Sequence, residues 1–200
     1  METRFTITPY DYATAERLAG ASLVHLTGIT MALGDGPRDL VLSLARRARD
    51  AGAIVTFDPN YRPALWPGPR EAAAAMASVL RYVDWYLCGA VEGEALFGVR
   101  GAEAVLEAVP VAGAVVRVGE RGALVAAGGA VSEVPPARVE PVVDEIGAGD
   151  AFAAGFAYGL LQGWEPERCT HAANVIAAFA LRGTGDWETL PRLDEVSALL

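Results

Sequence analysis

Gly147-Ala148-Gly149-Asp150-Ala151-Phe152-Ala153-Ala154-Gly155-Phe156 decides how the rest of this chain is read. Its small residues predict a tight turn that opens an apolar helix, with an aspartate in the first turn. A helix start presents unpaired N–H groups and partial positive charge, so it holds an anion. Glycine lets that anion come close to the backbone. An aspartate repels a phosphate, so binding alone does not account for Asp150. It is accounted for if the carboxylate takes the proton from a hydroxyl that attacks phosphorus. Read alone, the four residues 147–150 are equally an ordinary turn followed by an acid that complements the helix dipole. The flanking sequence separates the two readings.

Strand-like and helix-like stretches alternate on the N-terminal side of this turn. Ser22–Gly28, Ala53–Phe57 and Asp84–Cys88 read as apolar strands. Pro37–Asp50 and Arg70–Val83 read as helices, Glu92–Phe97 and Ala102–Val109 as shorter ones. Gly113–Val118 and Ala123–Ala127 read as strands joined by a hairpin turn at Gly119–Gly122, with an edge strand at Val131–Val134. Helices are expected again from about Glu165 to Leu181 and from Leu193. The alternation predicts an α/β fold, a mainly parallel sheet covered by helices on both faces. No repeat, linker or second domain interrupts it, so residues 1–200 read as one domain. In such sheets ligands bind at the carboxyl ends of the strands. Gly28, Asp58–Arg62, Gly89–Glu92, Gly119–Gly122 and Gly147–Asp150 all fall there, which points to one composite site.

Composition narrows the choice of ligand. The chain has 200 residues, 52% hydrophobic and 20% charged, so it folds around a substantial core. Its net charge of −9 speaks against nucleic acid or an anionic membrane as partner. Cys88 and Cys169 form no CxxC pair and read as buried apolar residues. His25 and His171 lack zinc-ligand spacing. Met1–Tyr10 is polar and contains Pro9, no run of 18 apolar residues occurs, and a cytoplasmic location is expected.

Asp58-Pro59-Asn60-Tyr61-Arg62-Pro63-Ala64-Leu65-Trp66 leaves its strand with two prolines fixing its course. Arg62 there can grip a carboxylate or phosphate through two parallel hydrogen bonds, or simply pair with a neighbouring acid. Glu92 and Glu94 follow the third strand and could hold Mg²⁺ through water or lie in solvent. Gly119 and Gly122 could let a nucleotide phosphate pass or merely close a hairpin. Asn174 could bond a base or fill a local gap, and Asp186 could meet a substrate hydroxyl or water.

Together these stretches resemble the ribokinase-like (PfkB) carbohydrate kinases. The family's Asp-Thr-x-Gly-Ala-Gly-Asp signature is matched by Asp144-Glu145-Ile146-Gly147-Ala148-Gly149-Asp150. Phe57–Pro63 with Leu65-Trp66, and Gly185–Pro191, most resemble 2-keto-3-deoxygluconate kinases. The resemblance runs from about Ala21 to the C-terminus. It implies a three-layer fold and phosphorylation of a sugar-acid hydroxyl by ATP with Mg²⁺. Asp150 would be the base, and the N–H groups of Gly147, Ala148 and Gly149 the anion hole. Arg62 would bind the sugar carboxylate, with Asn60 and Asp186 beside the substrate. Gly119, Gly122 and Asn174 would border the nucleotide, and Glu92 would organise Mg²⁺ through solvent.

The chain also departs from the pattern. Glu145 replaces the signature Thr, a position linked to a monovalent cation, which speaks against activation by such a cation. Gly89 replaces the Asn of an Asn-x-x-Glu motif. The family's N-terminal strands, Gly-Gly sugar loop and lid have no recognisable counterpart, so the fold is expected to lack them. Relatives often pair through their lids, which leaves a homodimer open. Two other readings stay open on these grounds. One is a kinase for fructose, ribose or 5-dehydro-2-deoxygluconate. The other is a non-catalytic nucleotide-binding remnant.

Overall fold

A computed structural model of the chain describes residues 20–137, 141–185 and 187–200. Two compact units divide it, Met1–Ala112 and Gly113–Leu200.

In the first unit, strands β1 (Leu23–Thr27), β2 (Ile54–Asp58) and β3 (Trp85–Gly89) run parallel, β1 to β2 and β2 to β3. Leu23 pairs with Ile54 and Thr27 with Asp58, while Thr56 and Phe57 face Trp85 and Tyr86. Parallel neighbours need a crossover, and helices supply it. They are α1 (Gly28–Ala32) and α2 (Asp35–Asp50) before β2, then α3 (Pro69–Leu80) before β3. Helices α4 (Ala90–Phe97) and α5 (Ala102–Ala108) follow β3. Val41, Ala45 and Ala48 of α2 fall on one helical face and are buried. Strand β2 has Val55, Thr56, Phe57 and Asp58 all buried, the mark of a strand covered on both faces. The Phe57 and Tyr86 rings stack 6.1 Å apart, and Phe97 meets Tyr86 edge-on at 5.9 Å.

In the second unit, β4 (Gly113–Arg117), β5 (Ala123–Ala127) and β6 (Ala130–Val134) form the antiparallel meander expected from the hairpin signals. Helices α6 (Ala148–Leu161), α7 (Pro166–Ala180) and α8 (Leu193–Val196) follow. Glycine lets α6 and α7 pack backbone to backbone. A Cβ on Gly155 would lie 2.8 Å from Ala173 Cα, and one on Gly159 2.9 Å from Cys169 Cα. Ser132 on β6 donates to Glu167 on α7 at 2.8 Å, which holds that carboxyl below its ordinary pKa.

Three local expectations needed correction. Helix α1 carries no apolar periodicity and begins at a glycine, so five residues gave no helical signal. Helix α2 begins two residues before Pro37, a position where the ring displaces no needed hydrogen bond. The C-terminal helix expected from Leu193 is a single turn ending at Val196. The region expected to lack the family's first strands falls in residues 1–19, outside the described residues. Among the described residues, no helix is long and apolar enough to cross a membrane.

Candidate active site

The loop leaving β2 is held at several points. Asp58 is 3% exposed, and its Oδ1 accepts the Asn60 N–H at 2.8 Å, closing an Asx turn. This turn puts Asn60 at φ +40, the one positive φ of a non-glycine among the described residues. Asparagine tolerates that region better than most residues. Gly28, the first residue of α1, lies against the loop so closely that a Cβ would come within 2.3 Å of the Pro59 carbonyl oxygen. The Tyr61 N–H donates to Glu92 Oε1, and the Gly89 N–H donates to Glu92 Oε2 at 3.2 Å. Asn60, Arg62 and Glu92 are therefore brought together at the carboxyl ends of β2 and β3. The Arg62 side chain is exposed, donates weakly to the Tyr61 carbonyl at 3.5 Å, and has no ion pair among the described residues. Trp66, at the loop's far end, is buried under the Arg38 guanidinium, 5.5 Å from its ring.

In the second unit the turn at 144–150 has the shape expected from its small residues. Asp144 Oδ1 accepts the Ile146 N–H at 3.1 Å. The Val143 N–H donates to the Leu181 carbonyl at 2.7 Å, which pins the approach to the end of α7. Gly147 caps α6 at φ 77, ψ −14, a left-handed conformation that strongly favours glycine. Ala148 donates only a long bond to the Glu145 carbonyl, 3.4 Å, and Ala151 is the first to close a helical bond, to Gly147 at 2.9 Å. Asp150 is the third residue of α6 and is exposed. Glu145 is also exposed, so its charge stays in water.

Arg117 was not singled out in the sequence. It ends β4, its Nη1 donates to the Gly149 carbonyl at 3.4 Å, and its guanidinium lies 5.5 Å from the Phe152 ring centre. The available signal was position: a lone cation on the last residue of a strand, just before a glycine turn.

Gly122 and Asn174 converge on the chain leaving β6, and Gly119 lies in the turn that Gly122 closes. Residues Gly119–Arg121 form a short 3₁₀ turn closed by Val118 N–H donating to Gly122 O at 2.8 Å. Gly122 packs so tightly that a Cβ would lie 2.2 Å from the Val134 carbonyl oxygen. Asn174, 8% exposed, donates from Nδ2 to the Pro135 carbonyl at 2.8 Å and to that of Val134 at 3.4 Å. Both residues thus have a structural task at the chain leaving β6. Asp186 lies outside the described residues.

No group of three or more His, Cys, Asp or Glu side chains is arranged to hold a metal among the described residues. A magnesium ion entering with ATP needs no such cage, because it is bound chiefly by phosphates and water.

Comparison with known proteins decides the family. The sequence profile of the pfkB family carbohydrate kinases matches residues 2–193. The chain belongs to the pfkB family. This match runs through both units. Among pfkB relatives, the 2-dehydro-3-deoxygluconokinase of Bacillus subtilis (strain 168) is 32% identical over 183 residues, 90% of this chain and 56% of that protein. The enzyme of the same name from Thermoproteus tenax is 34% identical, over 95% of this chain and 58% of its own length. The fructokinase of Vibrio cholerae O395, solved with fructose, ADP and calcium ion, superposes with a TM-score of 0.81 at 28% identity. That match covers 90% of this chain and 61% of the fructokinase. The chain therefore has the α/β ribokinase-like fold expected from its sequence, and spans less than two thirds of these pfkB relatives.

Proposed function

We propose that this chain serves an ATP-dependent kinase that phosphorylates a hydroxyl of a sugar acid, 2-keto-3-deoxygluconate. The observation that carries the reading is Asp150, exposed in the first turn of α6 behind a left-handed Gly147. Its carboxylate accepts the proton of the sugar hydroxyl as that oxygen bonds to the γ-phosphorus and the bond to the ADP oxygen breaks. The N–H groups of Gly147, Ala148 and Gly149 stabilise charge on the transferred phosphoryl group. Arg117, whose guanidinium already reaches the Gly149 carbonyl, adds positive charge beside them. Arg62, exposed and without an ion pair among the described residues, binds the substrate carboxylate, with Asn60 and Asp186 toward its hydroxyls. Gly119, Gly122 and Asn174 border the nucleotide. Mg²⁺ enters as the ATP complex, and the protein works in the cytoplasm.

Two kinds of support converge on this substrate. The Asp58–Trp66 loop carries a cation suited to an acid sugar, and the two curated relatives described above bear the 2-dehydro-3-deoxygluconokinase name. The test is release of ADP by the purified chain from ATP and Mg²⁺, with 2-keto-3-deoxygluconate, fructose, ribose and 5-dehydro-2-deoxygluconate offered in turn. Release that depends on 2-keto-3-deoxygluconate sustains the reading. Release with fructose, ribose or 5-dehydro-2-deoxygluconate instead moves the substrate. Nucleotide binding with no sugar-dependent release makes the chain a non-catalytic nucleotide binder.

A further inference from the structure

The loop that carries Arg62 is fixed on its near side by the Asx turn at Asp58 and Asn60. On its far side stands Trp66, four residues on and 8% exposed. The guanidinium of Arg38, in the first turn of α2, lies over the Trp66 ring at 5.5 Å. We propose that Arg38 is a positioning residue for the acid substrate: it clamps Trp66, and the turn between Trp66 and Arg62 passes that hold to the cation that meets the substrate carboxylate.

The hold reaches Arg62 through the backbone. Pro63–Leu65 form a single 3₁₀ turn. The Leu65 N–H donates to the Arg62 carbonyl at 2.9 Å, and the Trp66 N–H to that of Pro63 at 3.3 Å. Pro63 and Pro67 restrict the chain at both ends of this turn. A displaced Trp66 therefore carries the Arg62 carbonyl with it. The ring needs an outside hold, because its indole N–H is buried with no hydrogen-bond partner among the described residues. An arginine suits the task. Its planar guanidinium stacks on an indole while its edge N–H groups bond elsewhere. Here Nε donates to the Met31 carbonyl of α1 at 3.1 Å, and Nη1 to Asp35 at 3.2 Å. The Asp35 bond is exposed and adds little. The Met31 bond ties the guanidinium to α1, whose first residue, Gly28, presses on Pro59 of the same loop.

Because the clamp works through the ring, substitutions at Arg38 and Trp66 must couple. Once one partner is gone, removing the other costs little more.

This proposal rests on the sugar-acid reading only for its ligand, so the test separates the two. Wild type, Arg38→Met, Arg38→Lys, Trp66→Leu and the Arg38→Met, Trp66→Leu double variant are compared as the full chain. Amide hydrogen exchange at Leu65 and Trp66 follows the turn. Calorimetry follows binding of 2-keto-3-deoxygluconate and, separately, of ATP. In Arg38→Met, exchange at Leu65 is expected to accelerate and keto-acid affinity to fall, each roughly 3- to 30-fold, the span of a cation–π contact from exposed to desolvated sites. ATP affinity stays as in wild type. Arg38→Lys recovers part of both losses, since it keeps the charge. The double variant loses no more than the weaker of the two single variants. The Arg38 side chain is 37% exposed, so its variants decide the outcome even where Trp66→Leu fails to fold. Unchanged Leu65 exchange in Arg38→Met overturns the proposal. So does intact keto-acid affinity in that variant, or an equal loss of ATP affinity, which marks general loosening. If wild type binds no keto acid while Leu65 exchange still depends on Arg38, the substrate assignment fails and the clamp stands.

Discussion

The guanidinium of Arg117 donates to the carbonyl of Gly149 at 3.4 Å and lies over the Phe152 ring. A cation is thus fixed beside the first turn of α6, where the backbone already favours anions. Replacing it with methionine keeps much of the side-chain length and removes the charge. Arg117→Met is expected to lower kcat/KM for ATP about 10- to 100-fold, as for loss of a charged hydrogen bond. Arg117→Lys recovers part of that loss, since an ammonium keeps the charge and forfeits the planar fork. Steady-state kinetics with varied ATP measure both, and equal values across the three proteins remove Arg117 from phosphate binding.

Asp150→Asn preserves shape and abolishes the proton acceptor. Sugar-dependent turnover should fall by ~10²–10⁴, the usual contribution of a general base. Nucleotide affinity, followed by calorimetry, should change little. Turnover near that of wild type sinks the assigned role.

Arg62→Ala separates the two substrates. Loss of a bidentate carboxylate contact should raise KM for the keto acid roughly tenfold or more and leave KM for ATP nearly unchanged. Equal effects on both would mean that Arg62 does not meet the sugar acid.

Gly155→Ala tests the α6–α7 contact. Alanine gains up to ~1 kcal/mol of helix propensity over glycine. A methyl group 2.8 Å from the Ala173 Cα, however, forces two backbones apart, and overpacking of this kind costs about 1–3 kcal/mol. The net effect is expected to be destabilising, with a lower midpoint in urea. A midpoint at or above that of wild type would show that the helices separate easily.

Cys169 links stability to alkaline pH. Burial pushes its thiol up from 9.0 to about 11, and its Sγ lies 3.3 Å from the Trp164 carbonyl it donates to. The folded state therefore keeps a proton that the unfolded chain releases. This contribution is complete below pH 9, and it is lost as pH rises toward 11. All 16 basic side chains are arginines, so no lysine titrates in that window, and the six tyrosines and Cys88 are common to wild type and variant, so the difference between the two proteins isolates Cys169. Urea unfolding at pH 8 and pH 10.5 should show a smaller alkaline loss in Cys169→Ala than in wild type.

The sequence revealed most where a residue type has a single physical use. The tight turn at Gly147, the helix it opens with Asp150 in its first turn, and the hairpin at Gly119–Gly122 all followed from turn and helix-start chemistry. Apolar runs located β1, β2 and β3 because buried parallel strands leave little room for polar residues. Contacts between distant segments were not legible in that way. Nothing adjacent to Glu92 signals a bond to Tyr61, 31 residues earlier. Arg117 and Gly149 are 32 apart, and only folding makes them neighbours. Asn174 reads as a polar residue in an apolar helix; its two carbonyl partners lie about 40 residues upstream. Helix α1 was missed for the opposite reason, as five residues are too few to show a period.

The crowding at Gly122 has a mechanical corollary. With the Val134 oxygen filling the space a side chain would need, and Asn174 gripping that same stretch from α7, the hairpin tip cannot swing out by itself. Tip, proline step and helix are thereby tied at one point, so a side chain introduced at Gly122 must displace the very stretch of backbone that Asn174 holds.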